Sequence, residues 1–202
     1  MNAAADAAAL RAPIFPLNTV LFPGGVLPLK IFEQRYLEMT KVCIRDNAPF
    51  GVCLIREGQE VGAPAVPHTV GCTAHILRWD MPHLGLFHLM TEGSTVFRIL
   101  EQWSTRSGLL HAQVELDDAA PELPLPEPFA PLAQLLETII GKVGAERFPA
   151  PVRLDDAAWV AYRLAESLPL EAGLRQQLLE VRDPLAALDQ IKAFLQSKSV
   201  TV

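Results

Sequence analysis

The hydrophobic positions of the chain repeat with two different periods, one in each part of the sequence. Up to about residue 117, short stretches of alternating apolar and polar residues are separated by Gly and Pro, which is typical of strands and turns. Beyond residue 131, apolar residues recur every three or four positions, which predicts amphipathic helices. The pattern therefore indicates an α+β chain in which the strands come first and the helices come last.

In the first part, the pattern predicts a twisted sheet that closes toward a small barrel. Strands are expected over residues 50–55, 68–79, 84–91, 95–100 and 109–116. Turns are expected at 80–83, which contains Pro82, and at 92–94, which contains Gly93, because these residue types often interrupt strands. One helix is inserted early, and its apolar face consists of Tyr36, Met39, Thr40, Cys43 and Ile44.

A proline-rich segment separates the two parts. Residues 117–131 contain five prolines among fifteen residues, which is typical of a semi-rigid linker. Four amphipathic helices with short connections follow and indicate a helical bundle. Asp183 and Pro184 are a typical helix start, with Asp as the cap and Pro at the first helical position. The predicted organisation is a flexible tail at 1–12, a β-rich subdomain at 13–117, a linker at 118–131 and a helical bundle at 132–202.

The residue order is most specific in the stretch from Phe15 to Tyr36, FPLNTVLFPGGVLPLKIFEQRY. Pro23 followed by Gly24 predicts a type II turn, because glycine accepts the positive φ angle required at the second central position. An alternating strand is expected after the turn. Pro28 cannot donate a backbone hydrogen bond, so this strand should lie at a sheet edge or contain a bulge.

This stretch closely resembles the opening motif of the Lon protease amino-terminal domain family. The residues that carry the motif are Phe15, Pro16, Leu17, Val20, Leu21, Phe22, Pro23, Gly24, Leu27, Pro28, Leu29, Phe32, Glu33, Arg35 and Tyr36. The helical part is also similar to the family, at residues 164–170, 178–180, 183–184 and 188. The resemblance spans about residues 13–196 and is weakest at 58–68.

The resemblance implies a PUA-like β pseudo-barrel followed by a helical bundle. It also implies a module that contacts substrate polypeptides and protein partners. The ATPase and Ser-Lys peptidase of full-length Lon enzymes have no counterpart in these 202 residues, so neither activity is implied. Our leading hypothesis is therefore a non-catalytic polypeptide-binding or adaptor module linked to protein quality control, without a cofactor or a metal.

Composition and charge narrow the range of partners and compartments. The net charge is −6, and no basic block occurs, which argues against duplex nucleic acid as the main partner. The amino terminus lacks the basic start of a signal peptide, and the longest apolar run is too short to span a bilayer. Three cysteines do not form a disulfide framework and fit a reducing compartment. These features predict a cytoplasmic protein.

Candidate catalytic and metal-binding residues form no strong motif. The possible zinc ligands are Cys43, Cys53, Cys72, His68 and His75. They lack paired zinc spacing, and Cys72 and His75 are three residues apart on a predicted strand, so they should point to opposite faces. Two alternatives stay open at this stage. One is a hydrolase with a Cys/His or Asp/His pair that meets in space, and the other is an RNA-binding module.

The best candidates for a binding surface lie near a predicted turn. Trp79, Met81, His83 and Leu84 combine large apolar side chains with a histidine within six residues. Large apolar groups beside a turn are costly to leave in water unless something covers them. We expect either that they bind a polypeptide or that the helical part covers them.

Overall fold

The computed structural model describes residues 9–118 and 122–198. The chain is α+β, with one mostly antiparallel sheet and several helices. It divides into two compact units. Within the described residues, the first unit comprises 9–23 and 27–118, and the second comprises 24–26 and 122–198.

Within residues 9–118, the structure describes seven strands and one helix. The strands are β1 (Ala9–Leu17), β2 (Val26–Ile31), β3 (Phe50–Glu57), β4 (Val66–Pro67), β5 (Val70–His83), β6 (Leu86–Ser104) and β7 (Leu110–Leu116), and the helix is α1 (Gln34–Asp46). The strand order is β1-β7-β6-β5-β3-β4, and β1 also pairs in parallel with β3. Five strands therefore form a closed ring of pairings, as expected of a small barrel. The more specific PUA-like topology stays a prediction.

The core of the first unit is formed by inward-facing residues of the ring and by one face of α1. Phe15 lies at its centre, with its ring 4.2 Å from the Tyr36 ring and 6.2 Å from the Phe50 ring. On the predicted face of α1, Tyr36, Met39, Thr40 and Cys43 are buried. Ile44, the fifth residue of that face, is partly buried against the same core, so the predicted helix face is confirmed. The motif stretch thus supplies both a strand and a helix face to one core.

The predicted turn after Phe22 is confirmed. Pro23 and Gly24 form a turn, and the φ angle of Gly24 is +73°. The strand that follows, β2, pairs only with β6 among the described strands. Pro28 therefore lies on an edge strand, as its missing N–H requires.

Two other turn predictions were wrong. Residues 80–83 belong to β5, and the chain reverses at Leu84 and Gly85, where Gly85 has a φ angle of +83°. Residues 92–94 lie inside the single 19-residue strand β6. A Cβ atom at Gly93 would collide with the carbonyl oxygen of Phe22. Gly93 therefore allows the backbone of the Phe22 segment to approach β6 closely. In the sequence, a glycine in this role looks the same as a glycine in a turn.

The second unit is built from helices. They are η1 (Glu127–Phe129), α2 (Ala130–Val143), η2 (Ala145–Arg147), α3 (Ala157–Ser167), α4 (Ala172–Glu180) and α5 (Pro184–Ser197), where η denotes a 3₁₀ helix. Helix α3 contacts α2, α4 and α5. The Asp156 carboxylate accepts a hydrogen bond from the Trp159 N–H in the first turn of α3, and the Asp183 carboxylate accepts one from the Leu185 N–H in the first turn of α5. The predicted helix start at Asp183 is thereby confirmed.

The structure differs from the expected tail and linker where those segments are described. The tail was placed at 1–12, but β1 begins at Ala9, because residues 9–14 pair with β7. The remainder of the tail, 1–8, lies outside the described residues, as do 119–121 and 199–202. Residues 122–126 of the linker are held by hydrogen bonds to the segment before α3, including Leu125 N–H to the Asp155 carbonyl at 2.7 Å. The other domain limits stay predictions.

Candidate functional site

The far end of the β5–β6 hairpin exposes several large apolar side chains. Leu84 in the turn is 97% exposed, and Trp79 on β5 is 52% exposed. Leu77, Met81 and His83 on β5 are exposed as well. We call Leu77, Trp79, Met81, His83 and Leu84 the hairpin surface. It brings together all four binding candidates predicted from the sequence and adds Leu77.

Trp79 is held in place from the opposite strand. Its backbone pairs with Leu89, and its indole meets the Phe87 ring edge-on, with the ring centroids 5.8 Å apart. Phe87 and Leu89 are buried in the core of the unit. The indole is therefore positioned by rigid neighbours while half of its surface stays in water, which suits a preformed contact residue.

The same hairpin end has an open edge. The pairing of β5 with β3 ends at Ala74, opposite Phe50, whereas its pairing with β6 continues to His83. Within 9–118 and 122–198, no strand pairs with residues 75–83 on the side away from β6. Unpaired backbone N–H and C=O groups at such an edge can accept an additional strand.

A pocket of about 330 Å³ lies beside the edge strand β2. We call it the β2 pocket. Its apolar lining comes from β1, β2 and α1 and includes Phe15, Leu29 and Tyr36, and the exposed Phe32 also lines it. Its charged lining residues are Lys30, Glu33 and Glu60. The Glu60 carboxylate accepts a hydrogen bond from the Asn18 backbone N–H.

The motif residues Glu33 and Arg35 support this pocket. The Arg35 guanidinium forms an ion pair with Glu33 at 3.0 Å, donates to the Gly108 carbonyl at 3.3 Å and lies 4.7 Å from the centre of the Tyr36 ring. Burial raises the pKa of Tyr36; Arg35 lowers it, and the carboxylates of Glu33 and Glu60 raise it further. Both carboxylates therefore act on the phenol that lines the pocket.

The cysteines do not resemble nucleophiles. All three are buried, and burial raises the pKa of Cys43 to about 11 and also raises the pKa of Cys53. Nucleophilic cysteines need a lowered pKa and some exposure. Among the described residues, no group of three or more His, Cys, Asp or Glu side chains could hold a metal ion.

A buried ion pair lies within the second unit. Arg163 and Glu166 on α3 are 3.2 Å apart, and the Arg163 side chain is almost completely buried. Burial raises the pKa of Glu166 to about 7, while Arg163 and Arg175 oppose the increase.

The sequence pattern missed two features of these surfaces. Leu77 is two residues before Trp79 on the same strand, so the two side chains are expected on the same face. The alternation of the strand could therefore have predicted the exposure of Leu77. The β2 pocket combines Phe15 with Glu60 and Val61, which are separated by 45 residues or more. Only the closure of the sheet brings such residues together, so no local pattern signals the pocket.

Among the helices in the described parts of the chain, none is both long and apolar enough to cross a membrane.

Comparison with known proteins identifies the family. The sequence model of the ATP-dependent protease La (LON) substrate-binding domain matches residues 11–197. The crystal structure of a Lon N-terminal domain protein from Xanthomonas campestris superposes with a TM-score of 0.78 at 34% identity, covering 91% of this chain and 98% of that one. The N-terminal domain of Mycobacterium avium complex Lon protease has the same fold, with a TM-score of 0.66 at 18% identity over 96% of this chain and 100% of that chain.

Curated relatives are Lon proteases of greater length. The Lon protease of Phenylobacterium zucineum is 25% identical over 192 residues, which cover 92% of this chain and 24% of that protein. The Lon protease of Anaeromyxobacter dehalogenans is 35% identical over 91 residues, which cover 44% of this chain and 11% of that protein. The chain thus spans about a quarter or less of these relatives. On the match over 187 of its 202 residues, the chain belongs to the Lon substrate-binding domain family.

Proposed function

We propose that this protein is a non-catalytic module that binds polypeptide segments through the hairpin surface and presents them to proteolysis or quality-control machinery as an adaptor. The observation that carries the proposal is the coincidence of exposed apolar side chains with an open strand edge at the end of the β5–β6 hairpin. Membership of a substrate-binding domain family supports the same function.

The two features of the hairpin recognise different parts of a polypeptide. Trp79, Met81 and Leu84 offer apolar area, and burying one such side chain contributes about 1.5–3 kcal/mol. The open edge of β5 offers backbone hydrogen bonds, as in complexes where a peptide adds a strand to a sheet. Backbone hydrogen bonds are independent of side-chain identity, so this edge suits unfolded polypeptides of varied sequence.

Binding can be measured by fluorescence anisotropy with a labelled, permanently unfolded polypeptide. We expect Leu84→Asp to weaken binding about tenfold, because a carboxylate replaces the most exposed apolar group of the surface. Leu100→Asp is the matched control, since Leu100 is an exposed leucine on β6 outside the hairpin surface. Equal affinities of both variants and the parent protein would refute the assignment of the surface.

A second measurement tests strand addition. A short apolar peptide and a version with alternate backbone amides N-methylated carry identical side chains, but the second cannot donate those hydrogen bonds. Two such versions are made, one methylated at the odd-numbered amides and one at the even-numbered amides. Only alternate amides of an added strand face β5, so we expect one version to bind about tenfold more weakly than the parent peptide and the other to bind like it. Equal binding of both methylated registers and the parent peptide would exclude an added strand.

A further inference from the structure

The β2 pocket combines apolar walls with three charged lining residues, Lys30, Glu33 and Glu60. Phe15, Leu29 and Tyr36 provide apolar and aromatic walls, and the exposed Phe32 ring lies at its border. Its volume of about 330 Å³ is at the lower end of the range of about 300–1,000 Å³ for small-molecule sites. A pocket of this size fits one long side chain better than a cofactor.

The charged lining residues differ in whether they form an ion pair. Glu33 is neutralised by Arg35, at 3.0 Å. Glu60 accepts a hydrogen bond from Asn18, but it forms no ion pair with any cation in the described parts of the chain. Lys30 also lines the pocket, but its exposed side chain can keep its ammonium group in water. Glu60 is therefore a partly buried carboxylate beside an aromatic pocket, and it has no ion-pair partner within 9–118 and 122–198.

We propose that the β2 pocket binds a lysine or arginine side chain of a bound polypeptide, with the cationic head at Glu60 and the aliphatic stem against Phe15 and Tyr36. The inference rests on the proposed function, because it adds a preference for basic residues to a module that binds polypeptides. The carboxylate provides charge complementarity for the cationic head, and the apolar walls accept the aliphatic stem.

The arrangement also discriminates between side chains. The apolar walls accept the long stem of a lysine or arginine, which buries its methylene groups while its charge stays near water. A norleucine side chain would keep the apolar contacts but leave Glu60 unpaired. A glutamate side chain would place a second negative charge beside Glu60, which is unfavourable. The predicted order of affinity is lysine or arginine, then norleucine, then glutamate.

The test uses three labelled peptides that differ at one position, which holds lysine, norleucine or glutamate in an otherwise apolar extended sequence. Anisotropy titrations of the complete chain should show the lysine peptide binding about fivefold more tightly than the norleucine peptide, as an ion pair at a partly buried site allows. The difference should shrink at high salt, because salt screens the charge interaction.

Glu60→Gln should remove the preference for lysine while leaving the affinity for the norleucine peptide unchanged. Glu57→Gln is the matched control, because Glu57 lies on β3 as an exposed glutamate paired with Arg56, and it should keep the preference. Circular dichroism of each variant verifies the fold. An unchanged lysine preference in Glu60→Gln, or no preference in the parent protein, would overturn the inference.

The outcomes separate this inference from the proposed function. If all three peptides bind equally and Leu84→Asp weakens them all, the hairpin surface is correct and the pocket assignment is wrong. If none of the peptides binds the parent protein, both proposals fail. If the lysine preference persists in Leu84→Asp and is lost in Glu60→Gln, the pocket acts independently of the hairpin surface.

Discussion

Gly93 offers the sharpest test of how the motif stretch packs against the sheet. A Cβ atom at this position would collide with the Phe22 carbonyl oxygen and would lie 3.0 Å from Leu21 Cγ and from the Phe22 carbonyl carbon. Two of these three atoms belong to the backbone, which cannot rotate away as the end of a side chain can. Gly93→Ala must therefore displace either β6 or the chain just before the Pro23 turn.

The expected loss follows from the cost of overpacking. Inserting one carbon into a packed site destabilises a protein by about 1–3 kcal/mol, and we expect the upper half of that range because the obstacle is backbone. Gly141→Ala is the matched control. Gly141 lies inside α2 with nothing within 4 Å of its added Cβ, so alanine should stabilise the helix by about 0.5–1 kcal/mol.

Urea unfolding measures both variants. With a slope of about 2 kcal/mol per molar urea, a loss of about 2 kcal/mol lowers the midpoint of the first unit by about 1 M. Hydrogen exchange read by mass spectrometry assigns the change, because peptides from β6 and from α2 report the two units separately. Two results would refute this packing. One is a urea midpoint of Gly93→Ala equal to that of the parent protein, and the other is a change in midpoint smaller than the change caused by Gly141→Ala.

Three further predictions concern buried polar groups. Arg35→Met should lower the free energy of unfolding by about 2–3 kcal/mol in urea titrations, because it removes an ion pair and a hydrogen bond in a buried setting. Arg45→Met is the control, because it removes an exposed ion pair and should leave the urea midpoint unchanged. Asp156→Ala should cost about 1 kcal/mol through loss of the α3 cap, measured as lower hydrogen-exchange protection of α3. Burial raises the pKa of Glu166 to about 7 in the folded state, so the folded protein binds this proton more tightly than the unfolded chain does. The contribution of Glu166 to stability should therefore be greatest below its ordinary pKa near 4.5 and should be lost as the pH rises through 7. Glu166→Gln should flatten this part of the pH profile, and an unchanged profile would contradict the shift.

Local signals in the sequence predicted much of the fold. Pro23 and Gly24 indicate a turn because few residues accept its φ angle, and Asp183 with Pro184 indicates a helix start for an equally local reason. Gly93 misled the prediction, because a glycine required by a neighbouring backbone cannot be distinguished from a turn glycine in one sequence. Pro82 misled it similarly, since proline is tolerated near the end of an edge segment such as 75–83.

The candidate surfaces differ in how far the sequence predicts them. Trp79, Met81 and Leu84 are close in the chain, so their clustering required only that the hairpin end stay uncovered. The β2 pocket depends on Glu60 reaching Tyr36, which requires the β1–β3 pairing and the loop after β3 to be in place. Contacts between distant segments arise from topology, which residue periodicity does not encode.

Both surfaces lie where the ring of strands leaves an edge. A closed ring removes free edges along most of its length, which protects a β protein from unwanted strand pairing. Edges persist where a strand extends beyond its neighbour, as β5 does after Ala74, or where a strand pairs on one side only, as β2 does with β6 and the short β4 does with β3. Exposed apolar residues accompany the first edge, and an apolar pocket accompanies the second. Both of our proposed binding sites lie at these two edges, so substitutions at the hairpin surface and at Glu60 should account for most of the measurable affinity.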